Sequence, residues 1–297
     1  MNRSRVRRHA PPRFSMACVA LAAIACGAAP VQSQVDSTLT QSGLYNRPFI
    51  GSVSSTSVGG YVEGNTNYFV EDGVTEGFSM ELRRFNIFLF SQVSQRVRFL
   101  SELEFEHGTE EIALETALVD LRLSPGLVLR GGIILPPLGD QHQNHDSPRW
   151  DFIERPLVTT DIIPSTLSEV GFGAYGSFAR GDLVLSYDAY LTNGLGAGVV
   201  ANETGRTDNA SGKSEELFGE DHHGSPALTG RVALRHTRLG EVGLSSYGGY
   251  YTDYQVEGVP VDDKRGLGIA ALDVVGEVGP TSLRAEVVYA SIDVPTG

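Results

Sequence analysis

The chain has 297 residues, a formal net charge of −13, two cysteines and only two lysines. So acidic a chain is ill suited to nucleic acid, whose phosphates demand cations, and no nucleic-acid partner is expected. Beyond the N-terminal stretch no 18 consecutive residues are apolar, which excludes helical membrane spans there.

Residues 1–33 hold five arginines (Arg3, Arg5, Arg7, Arg8, Arg13), no acid and the apolar run "MACVALAAIACGAAP". A basic start, a short apolar stretch and small residues before a break describe a secretory signal peptide, with cleavage expected near Ser33. Its removal takes away five positive charges and no negative ones, moving the net charge from −13 to −18. Both cysteines, Cys18 and Cys26, leave with it, so no disulfide is expected in the exported chain.

The remainder alternates. In "RVRFLSELEFEH", Val97, Phe99, Leu103 and Phe105 share one face, with Arg98, Glu102, Glu104 and Glu106 on the other. Period two marks a strand with one apolar and one polar face. "EVGFGAYGSF" sets Val170, Phe172, Ala174 and Phe178 against Glu169 and Tyr175. "LVLSYDAYLT" sets Leu183, Leu185, Tyr187, Ala189 and Leu191 against Ser186, Asp188, Tyr190 and Thr192. "LTGRVALRHT" sets Leu228, Val232 and Leu234 against Thr229, Arg231 and Arg235. "SLRAEVVYAS" sets Leu283, Ala285, Val287 and Tyr289 against Arg284 and Glu286.

Eleven strands are expected in all, near 58–70, 80–92, 96–107, 112–123, 127–135, 168–178, 183–193, 227–238, 242–254, 265–275 and 281–292. Those near 80–92, 112–123 and 265–275 alternate poorly, and their faces cannot be assigned from pattern. Most of the segments exceed the usual globular strand of about five or six residues and suit a tilted bilayer crossing of about nine to eleven.

The connections sort by parity. "EDGVTEGFS" reads as long, "GTEE" as moderate, 136–167 and 194–226 as very long, and "QVEGVPVDDK" as long. Between them come the short "SQVS", "SPG", "ARGD", "LGE" and "EVGP". Outer-membrane barrels have tight periplasmic turns and longer outer loops. The fold class read here is therefore all-β, a transmembrane antiparallel β-barrel over 58–297, preceded by the signal peptide and a periplasmic segment at 34–57. A secreted β-sandwich shares the alternation but has no reason to sort its loops. Eleven is an odd count, and "SIDVPTG" is not a closing aromatic strand, so further C-terminal strands are expected.

The stretch "LRGGIILPPLGDQHQNHDSPRWDFIERPLVTTDIIPSTLSEVGFGAYG" (129–176) resembles the phosphate-selective porin family and related bacterial outer-membrane porins. A strand ends in glycine and proline, a loop carries "FIER" (152–155), and a proline-bearing descent leads into "GFGAYG". The resemblance implies an outer-membrane barrel of about sixteen strands, usually a homotrimer, whose third outer loop folds inward to narrow the pore. Its partners would be outer-membrane lipid and small hydrophilic solutes, including anions such as phosphate.

On this reading Arg149, Asp151, Glu154, Arg155 and Asp161 form the constriction loop. Arg98, Glu102, Glu104, Arg130, Glu169, Asp188, Arg231, Arg235, Arg284 and Glu286 line the pore. The lining mixes signs, whereas oxyanion selectivity calls for a cationic constriction, so phosphate specificity does not follow from the residues. The function expected is passive diffusion of small hydrophilic solutes or ions; the alternative is a non-conducting barrel presenting loops for binding or adhesion. Imidazole and carboxylate in "HQNHD" (142–146) and "EDHHG" (220–224) suit divalent metals, but neither spacing matches a strong zinc pattern, and no metal or cofactor is expected. No Gly-x-Ser-x-Gly elbow, phosphate-cradling glycine loop or CxxC motif occurs, so no enzyme is expected.

Overall fold

The computed structural model describes residues 56–108, 110–213, 218–219 and 224–295. The expected signal peptide, nearly all of the 34–57 segment, and Asp221, His222 and His223 lie outside the described residues.

Eleven strands form one antiparallel sheet in sequence order, each paired with its chain neighbours. They are β1 (Thr56–Glu71), β2 (Val74–Gln92), β3 (Val97–Glu106), β4 (Glu111–Ser124), β5 (Leu127–Ile134), β6 (Glu169–Arg180), β7 (Leu183–Thr192), β8 (Ala227–His236), β9 (Gly240–Tyr250), β12 (Gly266–Val278) and β13 (Thr281–Ile292). A small separate hairpin, β10 (Gln255–Val256) and β11 (Val259–Pro260), lies within the connection before β12. Among the described residues β1 and β13 are the two sheet edges, each paired on one side.

One expected long loop is not a loop. β1 and β2 continue to Glu71 and Val74 and meet in a turn at Asp72–Gly73, where φ is 51° and 79°. Both central residues have positive φ, which the Asp-Gly dipeptide accommodates and which matches the twist of a hairpin. The other connections at that end are 107–110, 135–168, 193–226 and 251–265, while the opposite end carries turns such as Pro125–Gly126 and Gly181–Asp182.

The three segments without clean alternation each have a physical reason. In β2, Glu63 pairs with Arg84 but Gly64 pairs with Leu82, so Arg83 is an extra residue. In β4, Glu102 pairs with Thr116 but Leu103 pairs with Leu114, so Glu115 is extra. Each bulge brings two successive side chains toward one face, which erases period two. In β12 the covered side chains Leu267 and Ile269 are themselves apolar, because they pack against loop residues Leu138, Ile163, Leu167, Leu195 and Val199.

The two faces are inverted relative to a water-soluble sheet. Val232, Leu244, Leu272 and Val287 stand side by side across β8, β9, β12 and β13. Leu244 is 62% exposed and Val287 69%, whereas Arg231 and Asp273 on the opposite face are 2% and 0% exposed. On β7 the pattern is residue by residue: Val184, Ser186, Asp188, Tyr190 and Thr192 are buried and their neighbours are not.

The sheet is curled around its covered face. Asp140 N–H donates to Glu286 of β13, and His145, five residues on, meets Glu115 of β4. On a flat sheet those strands would stand seven steps, about 34 Å, apart. Five residues, part of them the short helix Gly139–Gln143, cannot bridge that span.

The hairpin correction is open to a direct test. Tyr68 and Phe78 are register partners, and the chain beyond the first 33 residues has no cysteine of its own. Tyr68→Cys with Phe78→Cys should form a disulfide on mild oxidation, since opposed Cα atoms lie about 4.5–5.5 Å apart. An open loop at 71–79 would leave both thiols free to alkylation.

Candidate functional site

The covered face carries its charge in cross-strand networks. Arg130 of β5 grips Asp120 of β4 with two hydrogen bonds, Nε to Oδ1 at 2.8 Å and Nη2 to Oδ2 at 2.9 Å. Its guanidinium lies 4.4 Å from the Tyr175 ring centroid, and the Tyr175 hydroxyl donates to Asp120. Arg98 of β3 donates to the Tyr175 hydroxyl at 2.8 Å. Tyr190 donates to Asp188 at 2.9 Å and accepts from Arg130 at 3.4 Å. Arg98, Arg130 and Asp188, expected as lining residues, thus meet in one cluster that also includes Asp120, Tyr175 and Tyr190.

A second network spans β8, β9 and β12. Arg231 donates to Glu241 at 3.0 Å and to Asp273 at 3.2 Å through Nε. To reach Asp273 it passes over β9 at Gly243, where a Cβ would fall 2.1 Å from Arg231 Nη2. Arg235 stands opposite Glu241 in the same register. Glu169 of β6 accepts from the Tyr247 hydroxyl at 2.7 Å, joining β6 to β9 across the covered side.

The third network lies against the hairpin. Arg84 pairs with Glu63 at 3.0 Å, Glu104 at 3.2 Å and Glu106 at 2.7 Å. Asn86 donates to both Glu102 at 2.9 Å and Glu104 at 2.8 Å.

Onto this face folds the connection 135–168. Its two ends are covered: Leu138, Asp140, His142, His145 and Asp146 are buried on the way in, and Ile163 and Leu167 on the way out. Gly139 N–H donates to Ser245 of β9 at 3.0 Å, and Asp140 and Gln141 N–H groups both donate to Glu286 at 3.1 Å. Arg284 sits 3.4 Å from Asp140, whose carboxyl burial pushes up from its usual range, against the pull of Arg284. His142 donates from Nδ1 to the Pro136 carbonyl and accepts the Leu167 N–H at Nε2, both at 3.0 Å.

The expected constriction residues occupy the less covered middle of the connection, 147–162. Phe152 and Ile153 are more than three-quarters exposed, and Asp161 is exposed. Glu154 is held by Arg83 through two bonds, at 2.6 and 3.1 Å, and that guanidinium keeps its carboxyl below the usual range. Arg155 and Arg84 lie over the Trp150 ring at 5.3 and 5.2 Å. Asp151 reaches Arg284 at 3.5 Å, and Arg149 donates to Asn144 at 2.6 Å. The loop therefore meets Arg83, Arg84 and Arg284 on the sheet. Arg83 and Glu115 were missed because each sits at a bulge; Asp120, Glu241 and Asp273 were missed because their partners are fixed by register.

No family model matches the chain. An uncharacterized protein of Aquifex aeolicus is 33% identical over 222 residues, covering 71% of this chain and 46% of that protein. The chain thus spans less than half the length of the curated relative it matches. Among solved structures, a loop-deletion mutant of OmpT, an outer membrane protein of Vibrio cholerae, is 11% identical with a TM-score of 0.38, covering 80% of this chain and 82% of that one. In-vitro folded OmpT is 13% identical with a TM-score of 0.38, covering 82% and 78%.

Two outcomes follow from the site. Gly243→Ala should displace Arg231 from Asp273 and leave a buried carboxylate without its main cation, costing on the order of 3 kcal/mol. The urea midpoint of the folded band on unheated gels reads this directly.

His142 sets the second. Burial first, then the charges of His145 and Lys213, push its pKa down to about 3, opposed by the Pro136 carbonyl and Glu115. The folded state binds the proton more weakly than the unfolded chain, so the stabilisation is present above about pH 6.5 and lost as pH falls toward 3, at roughly 1.4 kcal/mol per pH unit. Emission of Trp150, the sole tryptophan, which donates to the His145 carbonyl at 2.9 Å, should shift to the red as pH falls from 6.5 to 4. A His142→Gln variant should lose that step.

Proposed function

We propose that these eleven strands form part of a closed outer-membrane β-barrel, that their polar face lines a water-filled passage, and that the connection 135–168 narrows it. The observation that carries this reading is the inverted sheet. Its exposed face is a continuous apolar surface, with Leu185, Leu234, Leu244, Leu272 and Val287 facing out, while its charges lie on the covered side. Exposed apolar area on that scale is costly in water and is satisfied by lipid hydrocarbon. Backbone groups at the β1 and β13 edges cannot be left open in lipid, so closure falls to further strands or to pairing of the two edges. The resemblance of 129–176 to phosphate-selective and related porins agrees with a channel for small hydrophilic solutes. The work is filtering by size and charge, without catalysis. Arg130–Asp120 and Arg231–Glu241–Asp273 place both signs on the lining, which favours a weakly selective passage over one tuned to phosphate.

A second reading rests on the apolar cluster of Leu138, Ile163, Leu167, Leu195 and Val199, which covers the long-loop end of β9, β12 and β13. A barrel filled there would serve as a platform for its outer connections and would not conduct.

Single-channel recording on the complete protein separates the two. A conducting barrel gives stable open steps, and replacing Gly139–Asp146 by a Gly-Ser linker should raise them; the plugged platform stays closed until that segment is removed. Lipid facing has its own test. Leu185→Arg or Leu244→Arg should disfavour insertion by about 2–4 kcal/mol, the cost of arginine near the bilayer midplane, while Leu244→Phe should be neutral.

A further inference from the structure

Three side chains from three parts of the chain converge beneath the covered loop. His145 comes from the loop, Glu102 from β3 and Glu115 from the bulge of β4. All three are buried, and one ligand atom of each lies within 4.8 Å of the others. His145 Nε2 stands 2.9 Å from Glu115 Oε2 and 3.9 Å from Glu102 Oε2. Around a tetrahedral cation bonded at about 2.0–2.2 Å, neighbouring ligand atoms sit roughly 3.3–3.6 Å apart, between those two separations.

The surroundings match a metal site. His145 Nδ1 lies 3.1 Å from the His142 carbonyl, which orients the ring and turns Nε2 to the two carboxylates, where a bound cation would displace its proton. A ring nitrogen tied to a backbone carbonyl is the usual way a metal-ligating imidazole is oriented. Asn86 provides an independent observation. Its Nδ2 is fixed by Glu102 and Glu104, so its amide orientation is settled. Its Oδ1 is buried and meets no hydrogen-bond donor. Asn86 thus holds the ligand carboxylate of Glu102 in place while leaving a buried carbonyl of its own without a donor. Two carboxylates and a neutral imidazole also balance a dication, which removes the penalty of burying like charges together.

We propose that His145, Glu102 and Glu115 bind a divalent cation of the zinc class, fastening the loop to β3 and β4. The mixed nitrogen and oxygen donor set suits Zn²⁺ better than Mg²⁺ or Ca²⁺, which take oxygen donors. Neither sequence spacing nor periodicity reveals the site, because its ligands are joined by a bulge and a folded loop. The site stands independently of whether the barrel conducts.

The test uses the full chain without a histidine tag, folded into detergent micelles, stripped with chelator and titrated with ZnCl₂. The expected result is one zinc retained per chain after dialysis, with tenfold excess Mg²⁺ failing to displace it. His145→Gln should weaken binding at least 100-fold while the folded band on unheated gels remains, and Glu102→Gln should weaken it at least tenfold. His222→Ala with His223→Ala should bind like wild type. If wild type retains no stoichiometric zinc, if His145→Gln binds as wild type does, or if the double variant loses the metal, the proposal is overturned. Should the ligand variants fail to fold, X-ray absorption of the zinc-loaded wild type decides. One imidazole with oxygen neighbours supports the site, and none, or two or more imidazoles, overturns it.

Discussion

A sheet whose charged face is the covered one can stand only if each buried charge is neutralised where it sits. Asp120 meets Arg130 through two bonds, Arg231 is held between Glu241 and Asp273, and Arg84 lies among Glu63, Glu104 and Glu106. Each of these networks crosses strand boundaries. A slip of one residue at β4–β5 or β9–β12 would turn Asp120 or Asp273 to the apolar side and take a carboxylate partner from Arg130 or Arg231. The cost of an uncompensated buried charge is several kcal/mol, so the charges specify register as strongly as an apolar core does in a soluble sheet. Gly243 shows how closely the backbone is fitted to them, since Arg231 occupies the space that a Cβ would take.

The connection 135–168 depends on the same lining. It is held at Ser245, Glu286, Glu115 and Arg83, four points on four strands. Its own apolar residues, Leu138, Ile163 and Leu167, find a core only because Leu195 and Val199 of the next connection and Leu267 and Ile269 of β12 join them. The long-loop end of the covered face is thus closed by packing and the middle by ion pairs. Charge neutralisation and loop attachment are accordingly set by one layer of residues.

Much of this was legible in the sequence, and the failures have identifiable causes. All eleven strands were located, and period two assigned faces wherever the exposed apolar side and the covered charged side differ sharply in residue type. The pattern failed where that rule is broken. Arg83 and Glu115 are bulge residues, and Leu267 and Ile269 are apolar side chains on the covered face. The hairpin at Asp72–Gly73 was legible in its dipeptide but was masked by the polar, glycine-rich residues around it. That the connection 135–168 is more than a free surface loop was legible in its length and proline content. Which parts of it lie against the sheet was not, because the anchoring acceptors, Ser245 and Glu286, lie more than a hundred residues away in the chain.

The central claim is that one face of this sheet meets lipid and the other does not, and spin-label accessibility along β7 measures it most directly. Single nitroxides at successive positions from Leu183 to Thr192, in the protein reconstituted into bilayers, should show period-two accessibility to dissolved oxygen. Maxima should fall at 183, 185, 187, 189 and 191, and minima at the buried positions between them. Uniform accessibility along the strand, or access of a water-soluble nickel complex to Leu185 and Ala189 equal to that at a free surface, would contradict the account.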